Sequence, residues 1–89
     1  MNMEEIKQLL LENRIEEAIA ILKDFTRENP SNDEAWYQLG RAYYKLGEVR
    51  LALNSYLSAM ELNSESPARQ AYDMAIKVLD FYNKDMYNQ

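Results

Sequence analysis

The chain has 89 residues, with ten Lys and Arg against fifteen Asp and Glu, a net charge of −5, and neither His nor Cys. An acidic chain of this size lacks the cationic footprint that holds a phosphate backbone, so nucleic acid is excluded as a partner; without thiols or imidazoles there are no disulfides, no thiolate or imidazole metal sites and no ordinary nucleophile–base pair. The longest apolar run, Ala18-Ile19-Ala20-Ile21-Leu22, falls far short of the roughly 18 residues that cross a bilayer, and the acidic opening Met1-Asn2-Met3-Glu4-Glu5 lacks a leader's basic-then-apolar layout, which predicts a cytoplasmic chain with no membrane partner.

Turn-forming residues divide the chain into five segments: Asn13, then Asn29-Pro30-Ser31-Asn32, then Gly47, then Asn63-Ser64-Glu65-Ser66-Pro67. Within each segment the apolar residues recur at helical spacing. The first has Ile6, Leu9 and Leu10, and the second has Ile15, Ala18, Ile19, Leu22 and Phe25. The third follows a Ser31–Glu34 capping box and carries Trp36, Leu39 and Tyr43; the fourth carries Val49, Ala52, Leu53, Tyr56, Ala59 and Met60. Ser66 and Pro67 provide a capping hydroxyl and a helix-opening proline for the fifth. Asn13 and Gly47 stand where a helix has to turn through positive φ, which glycine adopts freely and asparagine tolerates better than other residues. Five helices joined by short turns follow, an all-α fold.

The pattern repeats. An offset of 34 carries Asn13 to Gly47, Ile15 to Val49, Ala18 to Ala52, Ile19 to Leu53, Leu22 to Tyr56 and Asn29 to Asn63. For the last segment an offset of 35 matches residue sizes better, placing Trp36 on Ala71, Leu39 on Met74, Gly40 on Ala75 and Tyr43 on Val78. Gly40 and Ala52 are small residues at a predicted close helix crossing, which Leu39, Tyr43, Tyr56 and Ala59 would fill; Trp36, Leu39, Tyr43 and Tyr56 are expected in the core.

The segment from Ala35 to Gly47 resembles the first helix of a tetratricopeptide repeat, with Trp36, the Leu39-Gly40 pair, Tyr43 and the closing Gly47 at that family's spacing. Ala52, Tyr56 and Ala59 stand at its second-helix positions, and Pro30 closes the preceding repeat. The ending from Phe81 to Asn88 is similar to that of small bacterial members. The resemblance implies an α-α superhelix of two helix pairs plus a capping helix in a single domain. Repeat one would cover about 3–32, repeat two about 33–66, the capping helix about 67–83, and a short tail 84–89. It also implies a non-catalytic interaction module that binds a peptide or protein segment on its concave groove. The motif positions put Glu34, Tyr37, Arg41, Tyr44 and Lys45 in that groove, with Met3 and Lys7 contributed by the first helix and Arg69, Tyr72 and Ile76 by the last. The clamp for a terminal carboxylate found in some members would need cations or amides at Met3, Lys7, Gln38, Arg69 and Asp73, and Asp73 has the wrong sign.

Catalysis finds no support in the chain. The acidic pairs Glu4-Glu5, Glu16-Glu17 and Asp33-Glu34 lie in first helical turns, where they favour the helix dipole, and adjacent helical residues point about 100° apart rather than converging on one bond. No cofactor, metal or catalytic residue is expected. The fifth helix holds an anomaly: Arg69, Gln70, Asp73, Lys77 and Asp80 crowd into roughly 100° of arc, leaving about 220° to apolar residues. A cap needs only a single apolar stripe, so the surplus is expected to meet the tail at Met86 and Tyr87, a partner, or a second copy of the chain; the last gives the alternative role, a structural homo-oligomer such as a homodimer joined through Ile76, Leu79, Phe81 and Tyr82.

Overall fold

In the computed structural model the backbone of residues 2–87 and the side chains of residues 2–81 are described. Five helices follow one another: α1 (Met3–Leu11), α2 (Ile15–Glu28), α3 (Asp33–Leu46), α4 (Val49–Leu62) and α5 (Ala68–Tyr87). They stack as an α-α superhelix of two helix pairs with α5 laid against α4. α5 runs past the expected end near 83, because Lys84, Asp85, Met86 and Tyr87 include no helix breaker.

Each pair is joined by the same turn. Asn13 has φ 63° and Gly47 φ 90°, the left-handed conformation expected of both. Around Asn13, Arg14 N–H donates to Leu9 O (2.9 Å) and Asn13 N–H to Leu10 O (3.1 Å). Around Gly47, Glu48 N–H donates to Tyr43 O (2.9 Å) and Gly47 N–H to Tyr44 O (3.0 Å). These are two Schellman motifs, which satisfy the orphan carbonyls of α1 and α3 and turn the chain back on itself within a residue or two.

The caps differ from expectation in one place. Asn32, not Ser31, caps α3, with its side-chain oxygen accepting from Ala35 N–H at 3.1 Å. The turn closed by Asn32 N–H to Asn29 O (3.1 Å) delivers Asn32 to the helix start, where Asn caps as well as Ser. Ser66 does act at the head of α5, its hydroxyl accepting from Ala68 N–H at 3.1 Å.

Two hydrophobic clusters meet at α3. One joins Ile6, Leu9, Leu10, Ala18, Leu22, Ala35, Leu39 and Ala42; the other joins Ala52, Leu53, Tyr56, Ala59, Ala68 and Ala75. Leu39 and Tyr56 are buried as expected. Trp36 and Tyr43 are only half-buried: they lie on the seam and pack against both clusters. There they border an open cleft of about 390 Å³ between α2 and α4, and Trp36 Nε1–H donates to Pro30 O at 3.0 Å. A ring that has to touch two neighbouring pairs at once cannot be enclosed by either of them.

Gly40 of α3 faces the Tyr56 ring of α4. A Cβ there would lie 2.5 Å from Tyr56 Cδ1, so the Tyr56 ring occupies the volume that any side chain at position 40 would need.

The register of α5 departs from the size-matched offset. Ala35 and Ala42 are fully buried in the first cluster, and Ala68 and Ala75 fully buried in the second. α5 therefore sits on α4 as α3 sits on α2, with an offset of 33 rather than 35. Under this offset Trp36, Tyr37, Gly40 and Tyr44, on the side of α3 toward α4, correspond to Arg69, Gln70, Asp73 and Lys77, all exposed. Where a further helix would pack, α5 carries charged and amide groups, so that side is suited to water.

Candidate protein-binding surface

α1 and α3 bring their first-turn acids and one lysine together. Lys7 Nζ lies 2.7 Å from Glu34 Oε1 across the two helices and 3.6 Å from Glu4 Oε1 within α1. The hydrogen bond that Lys7 Nζ donates to Glu34 is the main cause holding the Lys7 ammonium above its ordinary pKa range. Two further first-turn acids are occupied: Arg14 reaches Glu17 of α2 at 2.6 Å, and Asp33 Oδ2 accepts from Asn63 Nδ2 at 3.1 Å, tying the start of α3 to the end of α4.

Beside that pair a hollow of about 250 Å³ is lined by Lys7, Asp33, Glu34, Tyr37, Gln38, Ser66 and Pro67. Lys7, Glu34 and Tyr37, expected in one groove, thus share one hollow. Arg41 adjoins it. Its guanidinium donates to Gln38 Oε1 (3.2 Å, from Nη1) and lies 5.9 Å from the Tyr37 ring centroid. Tyr37 in turn packs on Tyr56, with centroids 6.1 Å apart and planes tilted by 38°. Tyr44 and Lys45 are exposed on the last turn of α3.

Gln38, considered above only as a position of the carboxylate clamp, also lines this hollow. It is buried, 3% exposed, and it orients Arg41. Its signal was available in the sequence: an amide on the inner side of a helix, one turn before an arginine.

The candidates on α5 are distributed differently from expectation. Arg69 is exposed, on the charged side that corresponds to Trp36 of α3. Tyr72, Ile76 and Leu79 are half-buried against the α4–α5 cluster, so part of each side chain is taken up by the contact between α5 and α4. Among the described residues the large apolar side chains that α5 exposes are Met74 and Phe81. The side chain of Tyr82 lies outside the described residues. The broad apolar arc divides between this packing and the exposed margin at Met74.

Tyr56 anchors the site from beneath. Burial, reinforced by the neighbouring Tyr37 and Tyr44 and opposed by Arg41, pushes its phenol up to about 12 from 10.0. The folded state therefore binds the phenolic proton more tightly than the unfolded chain. The resulting stabilisation is complete below pH 10 and is lost as pH rises toward 12, on the order of 2 kcal/mol at most. Denaturant unfolding of the wild type and of Tyr56→Phe near pH 9 and near pH 11.5 is expected to show a larger loss for the wild type. Parallel losses would mean that the ring is not desolvated.

Among the described residues no group of three or more Asp or Glu is placed to hold a metal ion, and no helix is long and apolar enough to cross a membrane.

The profile of a family described as tetratricopeptide repeat matches residues 9–72. An uncharacterised protein of Treponema pallidum is 34% identical over 87 residues, covering 90% of this chain and 17% of that protein. The formate-dependent nitrite reductase complex bifunctional subunit NrfFG of Haemophilus influenzae is 38% identical over 56 residues, 63% of this chain and 15% of that subunit. The chain thus spans about a sixth of the length of these curated relatives. A Bacteroides fragilis protein solved in solution by NMR superposes with a TM-score of 0.84 at 49% identity, over 100% of this chain and 92% of that one.

Proposed function

This chain belongs to the tetratricopeptide-repeat family, and from that membership we propose that it is a non-catalytic interaction module holding an extended protein segment across its concave face. The observation that carries the reading is the hollow shared by Lys7, Glu34, Tyr37 and Gln38, contiguous with Arg41 and drawn from two successive repeats. Tyrosine and arginine are the side chains that most often dominate protein contacts, because they offer large contact area and several donors at low entropic cost. A subunit of an enzyme complex among the relatives is in keeping with a role in assembly.

The test is a paired variant, Arg41→Glu with Tyr44→Ala. Both side chains reach solvent, so helicity and melting temperature should stay close to wild type, while capture of protein partners on the immobilised chain falls by about tenfold or more. Equal capture by wild type and variant would remove the concave face from consideration.

A further inference from the structure

The concave face differs in charge along its length. At the α1 end Lys7 is neutralised by Glu34 and Glu4. Farther along α3, Arg41 and Lys45 lie one helical turn apart, and among the described residues no carboxylate comes within ion-pair distance of either. In a chain of net charge −5 two adjacent unpaired cations stand out against the overall sign.

Exposed cations usually do no more than solvate a helix, but Arg41 is held in place. Its guanidinium rests on buried Gln38 and over Tyr37, which itself packs on buried Tyr56. Among the described residues only one of its nitrogens donates, and the rest of the fork is oriented by that bond. A pre-oriented guanidinium fork matches a carboxylate bidentately, with less entropy lost than a freely moving lysine would lose.

The neighbouring helix supplies a different chemistry. The offset of 33 that relates α5 to α3 carries Arg41 to Met74 and Lys45 to Val78. Met74 is 65% exposed and Val78 half-buried, so the positions of α5 that correspond to the α3 cations are apolar. Neighbouring helix axes lie about 8–10 Å apart, and an extended strand returns its side chains to one face about every 7 Å.

We propose that this part of the groove selects an extended segment carrying an acidic residue, held by Arg41 and Lys45, and an apolar residue two positions away, laid on Met74 and Val78. This rests on the groove reading above and adds the chemistry of the ligand to it.

A positional-scanning library of end-blocked heptapeptides, panned against the whole chain, tests the selection; blocking removes terminal charges that would compete. The expected outcome is enrichment of Asp or Glu with an apolar residue two positions away. Binding of a selected peptide should weaken by about tenfold or more in Arg41→Gln and weaken further as ionic strength rises. Arg41→Lys keeps the charge without the fork and should fall between the two. Met74→Ser should erase the apolar preference while leaving the acidic one, and Arg50→Gln, an exposed cation on α4, should bind as wild type does. Helicity and melting temperature of each variant establish that it is folded. Enriched peptides with no acidic preference, bound equally by Arg41→Gln, would overturn the proposal and leave the groove reading standing. If no peptide is enriched at all, both fail.

Discussion

Leu22→Ala is expected to lower the unfolding free energy by about 3 kcal/mol or more and the melting temperature by roughly 15 °C. Leu22 is fully buried, in a cluster built by α1, α2 and α3 together. Removing most of its side chain loses the transfer free energy of the removed atoms and leaves a cavity walled by Ile6 and Leu39 from two other helices. The wall cannot close inward easily. Thr26, one turn on, donates its hydroxyl to Leu22 O at 2.9 Å, and the Schellman turn at Asn13 sets the distance from α2 back to α1. For so short a chain a loss of this size is a large share of the total stability. Denaturant unfolding followed by circular dichroism measures it, and a cost below about 1 kcal/mol would mean that the surrounding helices collapse into the gap.

Gly40→Ala should destabilise the fold by about 1–3 kcal/mol, against the sign that helix propensity predicts. In an isolated helix the substitution gains on the order of 1 kcal/mol, since glycine in a helix interior is entropically costly. Here the new methyl would meet the Tyr56 ring at 2.5 Å, far inside van der Waals contact. The ring has nowhere to retreat: it is 3% exposed and backed by Tyr37. The helices would have to separate, moving the platform on which Tyr37 and Arg41 stand, so the variant should bind partner segments less well too. Adding Tyr56→Leu to Gly40→Ala should recover part of the loss if the clash is the cause, whereas Tyr56→Phe should recover none. A Gly40→Ala chain more stable than wild type would show that α3 and α4 part without cost.

The segmentation into five helices was legible because its signals are local. Among the described residues Asn13 and Gly47 are the two positions with positive φ, 34 residues apart, and a left-handed residue after an amphipathic run is a decision the backbone makes within one turn. The tetratricopeptide spacing of Trp36, Leu39, Gly40, Tyr43, Ala52, Tyr56 and Ala59 is legible for a related reason. Small and large residues have to alternate across one crossing, and that crossing is made by neighbours in sequence. Lys7, Glu34, Tyr37 and Arg41 were nameable only through that resemblance, which implies the helix positions that line the family's groove.

Only packing between helices decided the rest. Lys7 and Glu34 had been assigned separately to the groove, yet they neutralise one another, which a one-dimensional pattern cannot display because the pair spans two helices. The rotation of α5 is the clearest case. Apolar residues cover about 220° of its circumference, so several rotations bury similar area and matching by residue size favoured the wrong one. What selects the rotation is how closely α4 approaches: Ala68 and Ala75, both small, lie fully buried against its cluster. That choice turns Tyr72, Ile76 and Leu79 inward and leaves Met74 at the surface. Amphipathicity along a chain determines that a helix has a buried side. Where that side is broad, its orientation depends on steric fit with a neighbour.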